Sequence, residues 1–394
     1  MRYDFDTIID RSRTDSVKWN VKDGELPMWV ADMDFMAAPE MLEAIEKRMA
    51  HGVFGYANIG NEWYNAYTGW WKSRHGFEMD QDWLMFCTGV IPAISSMIRK
   101  LTEPGDYVVV QTPVYNVFFN CIVNNGCRIL ENPLSYKDRA YFMDFEDLER
   151  KLAEPQTKLM LLCNPQNPAG RIWDRDSLER IGKLAVKHHV YVISDEIHCD
   201  ITEPGKGYIP FASVSPDCRD ISITCISPTK TFNIAGLHTA AVCVPEPSLR
   251  RRVRNALNTG EVSEPNSFAV TAAVAAFNKG GDWLDELREY IAENKRIAAD
   301  YIAARIPGVF IVEGDATYLL WIDVGCLGSD SKEIAGFIRE TTGLFVSAGG
   351  YYGKAGNHFL RMNIACPKEV CLDGLSRLKT GIALYREHIG SGFS

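Results

Sequence analysis

The chain has 394 residues, of which 46% are hydrophobic and 24% are charged, and its formal net charge at pH 7 is -9. These values are typical of a globular protein of about two domains, and they exclude a fibrous or membrane-embedded chain. The acidic balance argues against a nucleic-acid partner. The opening residues lack the apolar core of a signal peptide, which makes the cytoplasm the expected location.

Eleven cysteines and eight histidines are scattered along the chain without a Cys-x-x-Cys pair or the spacing of metal ligands. Cysteines such as Cys163, Cys225 and Cys243 fall in apolar, strand-like runs, where a reduced thiol behaves as a small hydrophobic side chain. We therefore expect a reducing compartment and no bound metal.

From about residue 83 to 245, short apolar runs alternate with amphipathic stretches, which predicts strand and helix units that build a mainly parallel sheet. The predicted strands are Trp83–Cys87, Tyr107–Gln111, Lys158–Cys163, Val190–Ser194, Ile221–Ser227 and Ala240–Val244. The predicted helices are Ile91–Leu101, Asp176–His188 and Pro265–Phe277.

The pattern changes after a long helical stretch at about residues 281–304. Three further strands are predicted at Val309–Glu313, Tyr318–Asp323 and Phe359–Asn363, with a helix near Lys332–Thr341 and another at the end of the chain. Strands with helices on one side indicate a smaller α+β domain. We predict a large domain of residues 47–285 and a small domain of residues 1–46 and 286–394.

Lys230 directly follows the apolar β-branched run at residues 221–226. In open α/β sheets ligands bind beyond the carboxyl ends of the strands, so a lysine at this point is placed for chemistry. Its amine is suited to form a Schiff base with a carbonyl compound, and pyridoxal phosphate is the commonest cofactor held this way. The alternative is a surface lysine in a polar turn.

Two more polar residues follow predicted strands. Asp195 comes directly after Val190–Ser194, where a carboxylate is suited to pair with a protonated pyridine nitrogen; the alternative is a turn-capping aspartate. Asn167 lies in the turn Asn164-Pro-Gln-Asn-Pro-Ala-Gly170 and is suited to donate to the phenolic oxygen of pyridoxal. The alternative is that Asn164 and Asn167 serve only to form the turn.

The turn Thr88-Gly-Val-Ile-Pro92 lies between a predicted strand and a helix, where free amides and the helix dipole favour a phosphate. The candidate amides are those of Gly89, Val90 and Ile91. Ser227 and Lys230 are expected to close this pocket from the opposite loop. His238 is either a further donor or an ordinary core histidine.

Tyr115 also follows a strand and is suited to stack on a planar ring, although core packing explains most single tyrosines. Arg361 lies in the apolar strand Phe359–Ile364, where a buried cation needs a partner. A bidentate grip on the α-carboxylate of a substrate would supply that partner.

Three motifs, Asn164-Pro-Gln-Asn-Pro-Ala-Gly170, Ser194-Asp-Glu-Ile197 and Ser227-Pro-Thr-Lys-Thr-Phe-Asn233, resemble those of fold-type I pyridoxal-phosphate enzymes of the class I/II aminotransferase superfamily. The resemblance covers essentially the whole chain. Within the superfamily, segments 27–35, 87–93, 226–234 and 361–367 are similar to the MalY/PatB branch of cystathionine β-lyases, closest to cystalysin. The resemblance implies an α/β fold whose large domain has a mainly parallel seven-stranded sheet flanked by helices, with a smaller α+β domain built from both chain ends.

The resemblance also implies roles for individual residues and pyridoxal 5'-phosphate as the cofactor. Lys230 would form the Schiff base, Asp195 face the pyridine nitrogen, Asn167 contact the phenolic oxygen and Tyr115 stack on the ring. Arg361 would hold the substrate carboxylate, with Val30, Ala31 and Asn167 beside it. Tyr56 would reach the phosphate in the neighbouring subunit of a homodimer. Two positions depart from the aminotransferases: His198 stands where they usually have tyrosine, and His238 where they usually have arginine.

The activity implied is α,β-elimination of L-cystathionine or L-cysteine-type substrates to pyruvate, ammonia and a thiol or sulfide. Lys230 would remove the α-proton and protonate the leaving sulfur. One alternative is transamination on the same fold, because the first steps are shared and the motif residues do not separate the two reactions. Another is a regulatory, protein-binding role like that known in this branch. The sequence does not indicate which sulfur substrate is preferred.

Overall fold

The computed structural model describes residues 2–391. Its strands β1 to β15, in chain order, are Leu26–Pro27, Leu84–Cys87, Tyr107–Val110, Arg128–Glu131, Ser135–Lys137, Ala140–Phe142, Thr157–Cys163, Tyr191–Asp195, Ser222–Ile226, Ala240–Cys243, Phe310–Ile311, Leu319–Asp323, Leu344–Phe345, Ser347–Ala348 and Phe359–Asn363. Its helices α1 to α13 are Pro39–Ala50, Asn61–His75, Val90–Leu101, Val117–Val123, Phe145–Leu152, Arg175–Lys187, Pro216–Ile221, Pro228–Thr231, Pro247–Thr259, Ala269–Lys279, Gly281–Arg305, Ser331–Thr342 and Lys368–Ser391. Several 3₁₀ turns join them.

The largest sheet has seven strands in the order β2-β10-β9-β8-β7-β3-β4. Only β10 runs antiparallel to its neighbours, β2 and β9; the other pairs are parallel. This confirms the predicted fold class. The central strands are continuous apolar runs because helices cover both faces of the sheet, with α3 and α9 on one face and α5 and α6 on the other.

The strand β4 is the one member of this sheet that the sequence pattern missed. Arg128, its first residue, is exposed, and the other three residues are only partly buried. At the edge of the sheet half of the strand faces solvent, so no apolar run marks it. The two-residue strands β13 and β14 were missed because they are too short for any periodicity to appear.

A second, four-stranded antiparallel sheet has the order β11-β12-β15-β14. Helices α11, α12 and α13 pack on it around residues such as Ile302, Ile338 and Leu375. The segment before α1 joins both parts of the molecule, because Met28 packs in this cluster whereas Met33 and Phe35 pack with α2 and α10. The division into residues 47–285 and 1–46 with 286–394 therefore stays a prediction.

All eleven cysteines are free thiols, and ten of them are buried. Among the helices of residues 2–391, none is both long and apolar enough to cross a bilayer.

Candidate active site

The residues predicted to carry chemistry converge where β7, β8 and β9 end. Two cavities adjoin there. The strand-end cavity, of about 370 Å³, is lined by Ala31, Thr88, Gly89, Val90, Ile91, Pro92, Tyr115, Cys163, Asn167, Asp195, Ile197, His198, Thr229, Lys230, Ala235, His238 and Thr239. The aromatic cavity, of about 460 Å³, is lined by Trp29, Val30, Ala31, Tyr115, Asn116, Val117, Lys230, Phe345, Val346, Ser347, Tyr351, Tyr352 and Arg361. Three residues line both cavities: Ala31, Tyr115 and Lys230.

Lys230 lies on the short helix α8, which begins directly after β9. Ser227 caps this helix: its Oγ accepts a hydrogen bond from the N–H of Thr229 at 3.1 Å and donates to the carbonyl of Thr239 at 2.7 Å. At the other end, Thr231 donates to the buried carboxylate of Asp200 at 2.9 Å. Both ends of the helix are thus fixed, which holds Lys230 between the two cavities.

The amine of Lys230 donates to the carbonyl oxygen of Ala31 at 2.6 Å. Burial lowers the pKa of Lys230 to about 8, because removing the ammonium group from water disfavours its charged form. Asp32 and Asp195 act against this shift, while the positive charge of Arg361 adds to it. An amine with this pKa is neutral in part near physiological pH, so it is able to take up a proton.

Asp195 is the last residue of β8 and is almost completely buried. Among residues 2–391, its side chain accepts one hydrogen bond, from the N–H of Ile197 at 3.1 Å. Burial raises the pKa of Asp195 to about 7. A buried carboxylate with so few donors is costly unless a cation pairs with it. The site therefore suits a ligand with a positive group next to Asp195.

Asn167 and Arg361 meet at the boundary of the two cavities. Arg361 Nη1 donates to Asn167 Oδ1 at 3.2 Å, and Nη2 donates to the carbonyl of Trp29 at 2.8 Å. The Nε of Arg361 is buried and has no hydrogen-bond partner in the part of the chain that the structure describes. The loop of Asn167 needs glycine at Gly170, where φ is +70° and an added Cβ would lie 2.5 Å from the carbonyl oxygen of Ala316.

The N-terminus of α3 faces the strand-end cavity. Gly89, Val90 and Ile91 line it, and no side chain of residues 2–391 caps this end of the helix. The first N–H groups of the helix are thus available to an anion, and the helix dipole favours negative charge there. His238 lines the same region in a left-handed conformation with φ of 50°. Ser227 is not among the lining residues, because its hydroxyl bonds the N–H of Thr229 and the carbonyl of Thr239; Thr229 lines the cavity instead.

His198 and Tyr115 form two further walls of the strand-end cavity. Burial lowers the pKa of His198 to about 3, with the positive charges of Lys230 and Arg361 adding to the shift, so the imidazole is neutral. Its Nδ1 is buried without a partner. Burial raises the pKa of Tyr115 to about 12, so its phenol keeps its proton.

The aromatic cavity holds Arg361 among apolar and aromatic side chains. Trp29 and Phe345 stack with ring centroids 4.8 Å apart, and the Arg361 guanidinium lies 4.8 Å from the ring centroid of Tyr352. Val30 lines this cavity and Ala31 lines both cavities. No acidic side chain is among the residues that line it.

Tyr56 is not among the residues that line either cavity, and its side chain is fully exposed. Of the lining residues, Trp29, Thr229, Thr239, Phe345 and Tyr352 were missed by reasoning from the sequence. Trp29 and Thr229 lie in segments already singled out by their resemblance, whereas Thr239, Phe345 and Tyr352 belong to none of the segments that carry it.

The sequence profile of the class I and II aminotransferases matches residues 27–378. Cystathionine β-lyase PatB of Bacillus subtilis is 43% identical over 386 residues, which is 96% of this chain and 100% of PatB. Protein MalY of Escherichia coli K12 is 34% identical over 392 residues, 98% of this chain and 100% of MalY.

Solved structures of similar proteins have the same fold as this chain. Cystalysin from Treponema denticola, which contains pyridoxal 5'-phosphate, superposes with a TM-score of 0.94 and 33% identity over 97% of this chain and 99% of its own. The PLP-bound C-S lyase from Staphylococcus hominis has a TM-score of 0.91 and 33% identity over 97% of this chain and 98% of its own. This chain belongs to the class I and II aminotransferase family, in the branch that includes PatB and MalY.

Proposed function

We propose that the protein is a pyridoxal-phosphate-dependent carbon–sulfur β-lyase. It eliminates a thiol or sulfide from L-cystathionine or L-cysteine-type amino acids and leaves pyruvate and ammonia. The observation that carries this proposal is the position of Lys230, whose side chain lines two cavities at once. One cavity suits the cofactor and the other suits an amino acid, so a single amine serves both.

The residues of the strand-end cavity fit pyridoxal phosphate. Asp195 is a buried carboxylate that forms no salt bridge within residues 2–391, so it is free to pair with a protonated pyridine nitrogen. The uncapped N-terminus of α3, at Gly89, suits the phosphate, with Thr229 and His238 beside it. Asn167 would contact the phenolic oxygen, and Lys230 would hold the aldehyde carbon. Tyr115 and His198 would flank the ring.

Arg361 would bind the α-carboxylate of the substrate. Within residues 2–391 its Nε is buried without a partner and its Nη2 donates to one backbone carbonyl, so it has donors to offer to a carboxylate. Its contact with Asn167 places that carboxylate next to the cofactor residues. A guanidinium grips a carboxylate through two parallel hydrogen bonds, which fixes the orientation of the α-carbon as well as its position.

When bound, pyridoxal phosphate supplies an electron-withdrawing ring that accepts the electron pair left at the α-carbon when the proton departs. The negative charge of Asp195 would keep the pyridine nitrogen protonated, which maintains the electron-withdrawing character of the ring. Lys230 takes the α-proton, and the same amine returns a proton to the sulfur as the thiol leaves. Because burial lowers the pKa of Lys230 to about 8, the amine accepts and releases protons with little cost near neutral pH.

Two observations favour elimination of a thiol. The wall around Arg361 is apolar and aromatic, which suits the soft, weakly hydrated sulfur of a leaving group. The named relatives PatB, a cystathionine β-lyase, and the S. hominis C-S lyase are similar along nearly the whole chain.

We further infer that the protein works as a homodimer in which Tyr56 completes the site of the neighbouring subunit. The segment at residues 51–60 contains no helix or strand, and Val53, Phe54 and Tyr56 are exposed. Exposed apolar side chains grouped in one segment are typical of an interface. Neither a nucleic acid nor a membrane is proposed as a partner, and the cytoplasm stays the predicted location.

The proposal is tested by feeding L-cystathionine to purified protein loaded with pyridoxal phosphate, with and without an added 2-oxo acid. A lyase releases pyruvate and a thiol at the same rate in both reactions. L-cystathionine that is consumed only when the 2-oxo acid is present, with its amino group recovered on that acid and no pyruvate or thiol released, would mean that the protein is an aminotransferase.

A further inference from the structure

The backbone carbonyls of residues 29 to 32 accept hydrogen bonds alternately from two sets of side chains. Those of Trp29 and Ala31 bond active-site side chains: Trp29 accepts from Arg361 at 2.8 Å, and Ala31 accepts from Lys230 at 2.6 Å. The even-numbered carbonyls, at positions 30 and 32, both accept from the side-chain amide of Asn363, at 2.6 and 2.5 Å. This short segment, which we call the 29–33 segment, thus joins the carboxylate-binding arginine to the lysine.

Asn363 holds the residues on either side of Ala31. One amide group carries two N–H donors, and both are spent here on carbonyls two positions apart. Asn363 lies two residues after Arg361 on β15, so the strand that carries the guanidinium also fixes the carbonyl that faces Lys230. Further along, Asn233, three residues after Lys230, bonds both the N–H and the carbonyl of Met33.

The Ala31 carbonyl has a second donor. The hydroxyl of Tyr318, a fully buried residue immediately before β12, donates to it at 3.0 Å. Burial holds the pKa of Tyr318 well above its usual value, so this hydroxyl stays protonated and donates at all physiological pH values. Lys230 and Tyr318 therefore share one acceptor, and each donor weakens the other's hydrogen bond.

We propose that the Ala31 carbonyl is the resting place of the Lys230 amine whenever that amine is free, and that Asn363 and Tyr318 are positioning residues that set its location and proton affinity. The proposal rests on the proposed role of Lys230. The 29–33 segment accepts hydrogen bonds from both Arg361 and Lys230. It therefore fixes the distance between the proton-transferring amine and the carboxylate that Arg361 binds. An amine displaced from a covalent bond would then return to the same point in each turnover.

Other charged and titratable groups also face Lys230. Asp32 and Asp195 favour its ammonium form, and Arg361 opposes it. His198 is neutral and lies across the cavity. These groups are unchanged in the variants below, so differences between the variants report on the Ala31 contact alone.

The test measures the reactivity of the Lys230 amine directly in the full-length, cofactor-free protein. The chain is acetylated with isotope-labelled acetic anhydride at a series of pH values, and mass spectrometry gives the fraction modified at Lys230. Because only a neutral amine reacts, the midpoint of this curve is the pKa of Lys230. The readout needs no catalytic turnover, so it separates a failure of this proposal from a failure of the proposed lyase activity.

Asn363→Ala is compared with Asn294→Ala, a matched control. Asn294 is also buried, and its amide likewise bridges two backbone carbonyls, those of Ile364 and Cys366, at 3.0 and 2.9 Å. We expect Asn363→Ala to lower the midpoint by about one pH unit, because the ammonium loses a well-placed acceptor. Asn294→Ala should leave the midpoint where the wild-type protein has it.

Tyr318→Phe keeps the ring and removes only the hydroxyl. The Ala31 carbonyl then serves Lys230 alone, so we expect the midpoint to rise by about half a pH unit. The two active-site variants should therefore shift in opposite directions. Coincident curves for Asn363→Ala and Asn294→Ala, or a midpoint that falls in Tyr318→Phe, would overturn the proposal.

Discussion

Asp195 and Glu196 are neighbours at the end of β8, and both are buried, but their carboxylates have opposite surroundings. Glu196 accepts hydrogen bonds from the hydroxyls of Ser194 and Tyr208, at 2.9 and 3.0 Å. Asp195 accepts one, from Ile197, and lines the strand-end cavity. Successive residues of an extended chain point to opposite sides, so one carboxylate faces the cofactor residues while the other stabilises the core.

This difference predicts opposite outcomes for two similar substitutions. Asp195→Asn removes the charge proposed to pair with the pyridine nitrogen, so kcat should fall about 100-fold or more and the affinity for pyridoxal phosphate should weaken. Glu196→Gln should keep kcat within a few-fold while it lowers the free energy of unfolding by about 1–3 kcal/mol. The NH₂ group of the glutamine would face groups that donate hydrogen bonds to Glu196, so at least one of these bonds would be lost. Steady-state kinetics and urea unfolding distinguish the two. Equal losses of kcat would contradict the assignment.

The raised pKa of Asp195 makes a prediction about stability in the cofactor-free protein. Its folded-state pKa is about 7 and the ordinary value is 3.8, so between these pH values the folded state holds a proton that the unfolded state has lost. The stabilisation is complete below about pH 4 and is lost as the pH rises to 7, at about 1.4 kcal/mol per pH unit.

Urea unfolding of wild-type protein and Asp195→Asn at pH 4 to 7 measures this dependence. Asparagine does not titrate, so the difference in unfolding free energy between the two proteins should change steadily over that range. Glu196, whose pKa burial also raises to about 7, contributes equally to both proteins and cancels. A difference that is constant with pH would mean that Asp195 is ionised throughout.

Lys230→Ala should lower kcat by about 1,000-fold or more, since both the covalent anchor of the cofactor and the proton-transferring amine are lost. Lys295→Ala is a suitable control. Lys295 is also largely buried, but its amine lies near the carboxylate of Glu203 and the carbonyls of Gly314 and Ala316, each at 3.3 Å. That variant should lose stability and keep its turnover. Wild-type turnover in Lys230→Ala would exclude the proposed role.

Arg361→Lys should raise KM for the amino-acid substrate about 10- to 100-fold, because an ammonium cannot make the two parallel hydrogen bonds of a guanidinium. The control is Arg288→Lys, an arginine whose Nε and Nη2 bond Thr202 outside both cavities. Substrate titration of both variants measures the effect. If KM is unchanged in Arg361→Lys, the substrate carboxylate binds elsewhere.

The role proposed for Tyr56 is tested by mixing two inactive variants, Tyr56→Ala and Lys230→Ala. If each site uses Tyr56 from one subunit and Lys230 from the other, a mixed dimer contains one site with both defects and one intact site. We therefore expect activity to return when the two proteins are unfolded together and refolded, to about a quarter of the wild-type value in an equal mixture. No recovery in a mixture shown to contain mixed dimers would place Tyr56 and Lys230 in the same subunit's site.

The residues that could be found from the sequence are those that follow apolar strands. Asp195 ends one strand of the parallel sheet, Lys230 and Asn167 lie shortly after the ends of two others, and the geometry of such sheets brings strand ends to one edge. Ser227 was assigned to the phosphate because it precedes α8, but its hydroxyl caps that helix. Local sequence alone does not decide whether a serine at a helix start faces inward to its helix or outward to a ligand.

Tyr318 and Asn363 could not be found in this way. Their contacts with the 29–33 segment join parts of the chain more than 280 residues apart, and no spacing within either strand points to that segment. The second sheet, which carries both residues, shows its strands in the sequence but not which backbone groups their side chains reach. Only the packed structure brings these partners together.

The central claim is tested most directly by measuring ammonia and pyruvate together while the loaded protein acts on L-cystathionine without an added 2-oxo acid. Elimination releases one ammonia for each pyruvate, so the two should accumulate in equal amounts through many turnovers. Transamination keeps the amino group on the cofactor and stops without an acceptor. Product formation that halts after one turnover, with no ammonia released, would contradict the account.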